Sequence, residues 1–289
     1  MVFAGCCWSL FQYVQNMESI NNSYLKAKVI PTPLDNDHVR FSWLVSVAII
    51  CCFLIIEKYG GKALQIILIS LIAFFIIYLH ILSARMGLMS FYIFFAMYAA
   101  WMLIKGRHFI PTAISISALV IFPIIAWFTI PTFENRIKYF IYDFSHVRAN
   151  TYLPGSSDGA RFLSIKAGWD VVKKHPLGVG AGDLKNEVDQ WYKLNVGEMV
   201  PADKFLPCSE WMMYGGFAGW PGIILFSAIM LLPFLINAGD QKFYWVSLNI
   251  IAAFSFVFDM GIETQYGTFI YCFIILWWWK WLQQLNELH

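Results

Sequence analysis

Charged residues are scarce in this chain. Of its 289 residues, 20 are Lys or Arg and 18 are Asp or Glu, a charged fraction of 13%, whereas a soluble globular domain carries about 25%. Hydrophobic residues make up 59%, and the mean hydropathy is +0.60. The formal net charge is only +2, which gives no indication of a nucleic-acid partner. This composition predicts a protein whose main partner is the lipid bilayer.

Cysteine patterns and a secretion signal are also missing. Five of the six cysteines lie in apolar stretches, and only Cys208 lies near polar sequence. Without a CxxC or Cys/His spacing we predict neither a zinc site nor a disulfide framework. Separately, we expect no cofactor. The chain begins at once with apolar sequence, without the basic region or cleavage site of a signal peptide. That first run is short for a span, so we expect the chain to begin partway through a larger protein.

Long apolar runs are what the sequence has instead. A bilayer core of about 30 Å requires about 20 apolar residues of helix. Seven runs meet or approach this length, at 41–56, 63–84, 86–104, 109–133, 211–239, 243–258 and 264–279, and residues 2–14 form the end of one more span. The predicted fold is an all-α membrane protein, a polytopic transmembrane helix bundle with a large, partly helical extracytoplasmic loop.

That loop is the polar region at 134–210, which carries 20 of the 38 charged residues, 10 of each sign. Ser157 and Asp158 are typical N-cap residues, and apolar residues at helical spacing follow until His175-Pro176 ends the helix. Asp183 can cap a second, amphipathic helix. We therefore divide the chain into membrane spans at 1–133, a large loop at 134–210 and three C-terminal spans at 211–289.

Orientation is predicted from the Lys and Arg residues of the short loops, because cytoplasmic loops hold the excess of positive charge. The turns with Lys58, Lys105 and Lys242 share one parity, so we predict that they are cytoplasmic. The opposite side then holds Arg85, the loop at 134–210 and the turn at 259–263.

Two arginines on that outer side are candidate anion ligands. Arg85 lies between two long apolar runs, where either an interfacial anchor or a bidentate phosphate ligand explains it. Arg161 opens the first predicted loop helix, where a cation opposes the helix dipole. An anion at this helix N-terminus would account for it, and a solvated surface arginine is the alternative.

Other outer residues are candidates for catalysis or substrate binding. Gly178 and Gly180 indicate a tight turn after a helix, which can bring backbone N–H groups close to a ligand although it matches no nucleotide-binding motif. Cys208 and Glu210 stand where the loop re-enters the membrane, and a buried inert thiol is the alternative for Cys208. Further candidate substrate-binding residues, whose alternative is ordinary interfacial polarity, are His38, Arg40, Glu263 and Gln265.

Five segments together resemble the superfamily of O-antigen ligases and O-antigen polymerases, in its Bacteroidetes-type form and over the C-terminal part of the family. In chain order they are PLDNDHVRF at 33–41, SARMG at 83–87, the stretch from Arg161 through Trp169 to HPLGVG at 175–180, the glycine-rich segment at 215–222 after Glu210, and ETQYG at 263–267. The likeness covers nearly the whole chain, and the family's N-terminal spans have no counterpart in it.

The resemblance implies metal-independent, inverting glycosyl transfer on the outer face of the bacterial inner membrane, with the large loop in the periplasm. The implied donor is a glycan linked to undecaprenyl diphosphate, and the implied acceptor is lipid A core, a protein or a glycan. Arg85 and Arg161 match the family's two arginines that hold the diphosphate. A polymerase that joins glycan repeats is the alternative within the same class of enzyme.

The sequence departs from the family at one position. The family has Pro-His-Asn after the large loop, and its His activates the acceptor hydroxyl, whereas this chain has Pro207-Cys208-Ser209. A thiol is a poor general base at neutral pH. Either Glu210 or Asp203 takes the role, or catalysis rests on diphosphate activation, or the chain is a catalytically degenerate membrane homologue. A transporter is less consistent with the sequence, because His80 is the only ionisable residue well inside a span.

Overall fold

The computed structural model describes residues 1–26, 28–59, 61–105, 109–149, 151–236 and 238–280, except for the side chains of residues 109–111, 118 and 240. Across these ranges the chain is helical and contains no β-strand, which agrees with the predicted all-α class. The chain divides into two compact units. The first comprises Met1–Ile137, Ala238–Ile251 and Phe269–His289, and the second comprises Lys138–Asn237 and Ala252–Thr268.

The helices follow one another along the chain in three parts. The N-terminal part holds α1 (Val2–Gln15), α2 (Met17–Ser23), a 3₁₀ turn (Tyr24–Lys26), α3 (His38–Tyr59), α4 (Lys62–Leu82), α5 (Arg85–Ile104) and α6 (Phe109–Thr129). Next come α7 (Pro131–Arg148), α8 (Asp158–Lys174), α9 (Leu184–Asn195), a 3₁₀ turn (Pro201–Asp203) and α10 (Glu210–Leu235). The C-terminal part holds a 3₁₀ turn (Gly239–Gln241), α11 (Lys242–Phe258), α12 (Gln265–Thr268) and a π-helical segment (Phe269–Leu276).

Among the described residues, five helices are long and apolar enough to cross a membrane: α3, α4, α5, α6 and α10. Each coincides with a predicted span, so the apolar runs at 41–56, 63–84, 86–104, 109–133 and 211–239 are confirmed as long apolar helices. Two further predicted spans are helical but are not among these five long helices. The run at 243–258 is α11, with 17 residues, and the run at 264–279 includes α12 and the π-helical segment. The partial first run corresponds to α1, with 14 residues.

The first unit is built around α3, which packs against α4 and α5, while α5 also packs against α6. Helices α3 and α5 run parallel, since Ser46 Oγ donates to Gly87 O near their starts and Phe53 contacts Phe94 further along. At the far end of α5, Trp101 stacks on Phe243 at the start of α11, with ring centroids 4.7 Å apart.

The packing also groups the lysines of the three turns, whose cytoplasmic orientation stays a prediction. Lys58 ends α3, Lys105 follows α5 with its Nζ 4.5 Å from the Trp101 ring centroid, and Lys242 begins α11. All three therefore lie at one end of the first unit. Arg85 lies at the other end, where α5 begins.

The second unit has its core where α8 packs against α9 and α10. The core side chains include Val171 from α8, Leu184, Val188 and Trp191 from α9, and Met213 from α10. The spacing of the α9 residues is the amphipathic pattern that the sequence predicts. Helix α9 begins directly after Asp183, as predicted, although the Asp183 side chain makes no capping hydrogen bond.

Helix α10 is interrupted at Gly219, whose backbone (φ 66°, ψ −147°) is not helical. Pro221 lacks an N–H group, and the glycine-rich segment after α8 pairs with the broken turn. Val179 N–H donates to Gly216 O (2.8 Å), Gly180 N–H donates to Phe217 O (3.1 Å) and Trp220 N–H donates to Pro176 O (2.9 Å). The groups that the break releases are thereby bonded, as a helix interrupted within an apolar region requires.

The N-terminus of α8 corrects the predicted capping. Ser157 occupies the N-cap position but its side chain makes no capping hydrogen bond. The carboxylate of Asp143, on α7, instead accepts hydrogen bonds from the N–H groups of Asp158 (2.8 Å) and Gly159 (3.3 Å). Asp143 is fully buried. The predicted boundary between residues 133 and 134 also lies within a continuous helix, α7.

Candidate functional site

Arg85 is held on a turn that its neighbours fix. Ser83 ends α4 in the left-handed region (φ 51°), and its Oγ donates to His80 O. The carbonyl groups of the last α4 residues accept further hydrogen bonds, Leu82 O from Tyr24 OH (2.7 Å) and Ile81 O from Thr132 Oγ1 (2.6 Å). These bonds satisfy helix-terminal acceptors that would otherwise lack partners.

Gly87 fixes the same turn from the other side. Its N–H donates to Ser42 Oγ (3.1 Å), and a Cβ at this position would lie 2.5 Å from the Ser42 Cβ. Only glycine allows α5 to begin in this contact with α3. In the predicted SARMG motif, Ser83 and Gly87 thus have structural roles that position the half-buried Arg85 between them.

His38 and Arg40 lie in the first turn of α3, at the same end of the first unit as Arg85, because Ser42 contacts Gly87. Asp37 precedes the helix, and its Oδ1 accepts a hydrogen bond from Arg40 N–H (3.1 Å). Arg40 Nη1 lies 3.5 Å from the same oxygen. The structure therefore groups three predicted site residues of the first unit at one end, with Arg40 paired to Asp37.

In the second unit, Arg161 pairs with Asp259, with Nη1 and Oδ1 3.3 Å apart. Asp259 is buried, and the Arg161 side chain is about one-third exposed. The anion expected at the α8 N-terminus is part of the chain itself, because Asp143 takes the first N–H groups. Arg161 points instead to the turn after α11, which the sequence also predicted to lie on the outer side.

Glu210 begins α10 and is fully buried. Its Oε1 accepts a hydrogen bond from Ile262 N–H, and its Oε2 has no hydrogen-bond partner among the described residues. Asp259 and Glu263 are its acidic neighbours. The turn from Asp259 to Glu263 therefore contacts both Arg161 and Glu210, so the structure brings the predicted residues Arg161, Glu210 and Glu263 into one cluster with Asp259.

The two ends of that turn are ordered by Thr264, whose Oγ1 donates to Gly261 O (2.9 Å) and accepts a hydrogen bond from Gly267 N–H (3.3 Å). A Cβ on Gly267 would overlap Gly261 O, so the turn requires glycine there. Glu263 and Gln265 have exposed side chains on this ordered turn.

Cys208 packs on the face of α8 that carries Arg161. Its N–H donates to Ser164 Oγ (3.0 Å), and that Oγ donates to Arg161 O (2.7 Å). One turn further along α8, Gly168 leaves room for Pro207. A Cβ added at Gly168 would lie 2.8 Å from the Pro207 side chain. Cys208 is 3% exposed, which agrees with the interpretation of a buried thiol.

Asp203, the other carboxylate considered as a base, has two bonded partners. Its Oδ2 accepts hydrogen bonds from Tyr152 OH (2.5 Å) and Gly155 N–H (2.8 Å). Burial, and then the hydrogen bond to Asp203, raise the pKa of the Tyr152 phenol. Asp203 thus ties the segment before α8 to the segment before α10, and its role in the structure is architectural.

Gly178 and Gly180 form the tight turn that the sequence indicates, both with positive φ (81° and 84°). Their N–H groups donate to His175 O (2.8 Å) and Phe217 O (3.1 Å). These two donors are therefore used inside the chain, and the glycines support the interrupted α10. Their assignment to substrate binding stays a prediction.

A cavity of about 380 Å³ lies on the face of α8 opposite Arg161, within the size range of small-molecule sites. Its lining includes His146, Tyr152, Phe162, Lys166 and Asn195. The sequence did not predict this cavity, because its walls come from α7, the connection to α8, α8 itself and α9.

In the part of the chain that the structure describes, no group of three or more His, Cys, Asp or Glu side chains is arranged to hold a metal ion. The expected metal independence stays a prediction.

Comparison with protein-family models, with curated proteins and with solved structures found no match to this chain.

Proposed function

We propose that this chain is a membrane glycosyltransferase that moves a glycan from undecaprenyl diphosphate to an acceptor on the outer face of the bacterial inner membrane. The observation that carries the proposal is the Glu210 cluster, in which a buried carboxylate oxygen without a hydrogen-bond partner among the described residues lies beside the Arg161–Asp259 pair. The sequence resemblance supplies the class of reaction, and the five long apolar helices support the membrane location.

Glu210 is the acceptor-activating base in this proposal. A buried carboxylate oxygen without a donor is costly, and the hydroxyl of an acceptor would supply the missing hydrogen bond. As that hydroxyl oxygen attacks the anomeric carbon, its proton passes to Glu210. The bond between the anomeric carbon and the diphosphate oxygen breaks, and undecaprenyl diphosphate leaves from the opposite face with inversion. Glu210 thereby replaces the His whose position Cys208 occupies.

The sequence resemblance assigns the diphosphate to Arg161 and Arg85, and in this proposal each stabilises the negative charge that grows as the diphosphate leaves. Guanidinium groups bind phosphate oxygens bidentately, and fixed cations aimed at developing charge often contribute more to catalysis than any other single effect. Asp259 holds the Arg161 guanidinium in place before the donor binds. Ser83 and Gly87 do the same for Arg85 by fixing the turn on which it stands.

The acceptor distinguishes a ligase from a polymerase, and a deletion strain tests both. Loss of surface attachment with accumulation of lipid-linked polymer identifies the ligase that we propose. Single-repeat glycans identify a polymerase. A surface polysaccharide unchanged in amount and length would contradict both and would favour a non-catalytic membrane homologue.

A further inference from the structure

Helix α7 has its polarity reversed in the part that belongs to the second unit. Its inward side carries polar residues: Asp143 is fully buried, and Tyr139 is 6% exposed. Its outward side carries Ile141 (61% exposed), Tyr142 (53%), Phe144 (45%) and Phe140 (41%). In a helix that borders water, the apolar stripe faces the core and the polar residues face outward. This helix instead buries Asp143 and exposes large apolar side chains, alongside the exposed Lys138, Ser145 and Arg148.

The inward polar residues are bonded to the protein. Asp143 caps α8 and also accepts a hydrogen bond from Ser156 Oγ (2.7 Å). Tyr139 OH accepts a hydrogen bond from Ser157 N–H (3.3 Å). His146 Nδ1 lies 2.9 Å from Thr151 Oγ1. These bonds fix the rotation of α7 about its axis. Because the polar side is bonded to the protein, the aromatic side faces outward.

The outward residues recur at helical spacing. Phe140, Ile141 and Phe144 stand at i, i+1 and i+4, and the rings of Phe140 and Phe144 stack on each other with centroids 5.8 Å apart. Exposed Lys138 and Arg148 stand toward the two ends of this stripe. An aromatic and aliphatic stripe with cations beside it is typical of helices that lie in the headgroup region of a bilayer.

The chain leading into α7 points to the same partner. Only Ile130 separates α7 from α6, one of the five helices long and apolar enough to cross a membrane. Tyr142 matches the enrichment of Tyr at the membrane interface, and Phe140 and Phe144 match the Phe residues on the apolar face of interfacial helices. Large exposed apolar side chains mark a site for an apolar partner, and lipid is the partner that the chain meets along α6, just before α7 in sequence.

We propose that the face of α7 formed by Phe140, Ile141, Tyr142 and Phe144 lies in the lipid headgroup and upper acyl region, so that α7 anchors the large loop to the membrane surface. This inference is independent of glycosyl transfer and holds if the chain has no enzymatic activity. It also changes the interpretation of the segment 134–210, whose first helix is then part of the membrane-embedded surface.

Spin-label accessibility tests the proposal. The full chain, with its six native cysteines replaced by Ser or Ala, is studied in vesicles of phosphatidylethanolamine and phosphatidylglycerol. It carries a nitroxide at Phe144→Cys or, as the matched control, at Lys185→Cys, an exposed position on α9. The label at 144 should be readily reached by oxygen, with access to a water-soluble nickel chelate several-fold lower than at 185. Equal chelate access at both positions, or exclusion of both reagents at 144, would overturn the proposal.

A second pair of variants keeps the native cysteines. Ile141→Asp should lower the Tm of the full chain in the same vesicles, whereas the matched Ile141→Leu should leave it nearly unchanged, because only the carboxylate is disfavoured by lipid. Equal Tm values for the two variants would mean that water covers this face.

Discussion

The guanidinium of Arg161 pairs with the carboxylate of Asp259 at 3.3 Å, joining α8 to the turn that also supplies the Ile262 N–H bonded to Glu210. Residues nearly 100 positions apart thereby form one cluster. The pairing holds Arg161 in one direction before any substrate binds, and in our proposal the donor diphosphate shares this guanidinium.

Replacing Arg161 or Arg85 with Ala should abolish transfer without preventing membrane insertion. Loss of one fixed donor to a developing oxyanion costs about 10²- to 10³-fold in rate. Arg161→Lys should not restore activity, because an ammonium cannot bind phosphate bidentately. Transfer per inserted molecule in proteoliposomes is the measurement, and Lys193→Ala, which removes an exposed cation on α9, is the control. Full activity in both Ala variants would refute the assignment.

Glu210 and Asp203 should respond differently to loss of charge. Glu210→Gln should lower the transfer rate by about 10²- to 10⁴-fold, the usual contribution of a general base. Asp203→Asn should lower the Tm but leave the rate per folded molecule nearly unchanged, since its carboxylate bonds to Tyr152 and Gly155 in a structural role. The reverse result, with Asp203→Asn inactive and Glu210→Gln active, would exchange their roles.

Cys208→His should not increase transfer. Glu210 already supplies the base in our account, and the larger imidazole would enter a buried position beside Ser164, so the variant should also be less stable. Cys208→Ala should retain the wild-type rate. A clear gain in rate for Cys208→His, measured against this Ala variant, would show that the missing His limits activity.

Two glycines of the same turn should differ in their tolerance of a side chain. Gly180 has positive φ, but a Cβ added there would meet no atom within 4 Å, so Gly180→Ala should cost only the left-handed backbone strain, about 1–2 kcal/mol. A Cβ at Gly178 would in addition lie 2.5 Å from Ala218 N, in the interrupted α10. Thermal unfolding should show a larger loss of stability for Gly178→Ala, and equal losses would contradict the close approach.

The sequence predicts the apolar helices well because each depends only on its own composition. The end of α8 at His175-Pro176 and the start of α9 after Asp183 are also local signals, and both are confirmed.

Features that depend on distant partners were not predictable in this way. Asp143 caps α8 although it lies 15 positions before Asp158 in the sequence. The sequence at the start of α8 indicates Ser157 as the cap and gives no sign of Asp143. The pairing of the 178–180 turn with the broken α10 joins segments about 40 residues apart. The reversed polarity of α7 was hidden because the high charge of the segment 134–210, taken as a whole, indicates water-exposed structure.

The candidate site was predictable as a set of residues but not as an arrangement. Position within the topology and the family resemblance selected Arg161, Glu210 and Glu263. Only the folded chain shows that Asp203 is committed to Tyr152 while one oxygen of Glu210 has no hydrogen-bond partner among the described residues.

Glycan transfer by the full chain in proteoliposomes tests the central claim most directly. The donor and acceptor would be extracted from membranes of a strain that lacks the chain, and wild type would be measured beside Glu210→Gln. We predict transfer by wild type with inversion at the anomeric carbon, and loss of transfer in Glu210→Gln with insertion and folding intact. Absence of transfer by inserted, folded wild type, or an equal rate in Glu210→Gln, would contradict the account.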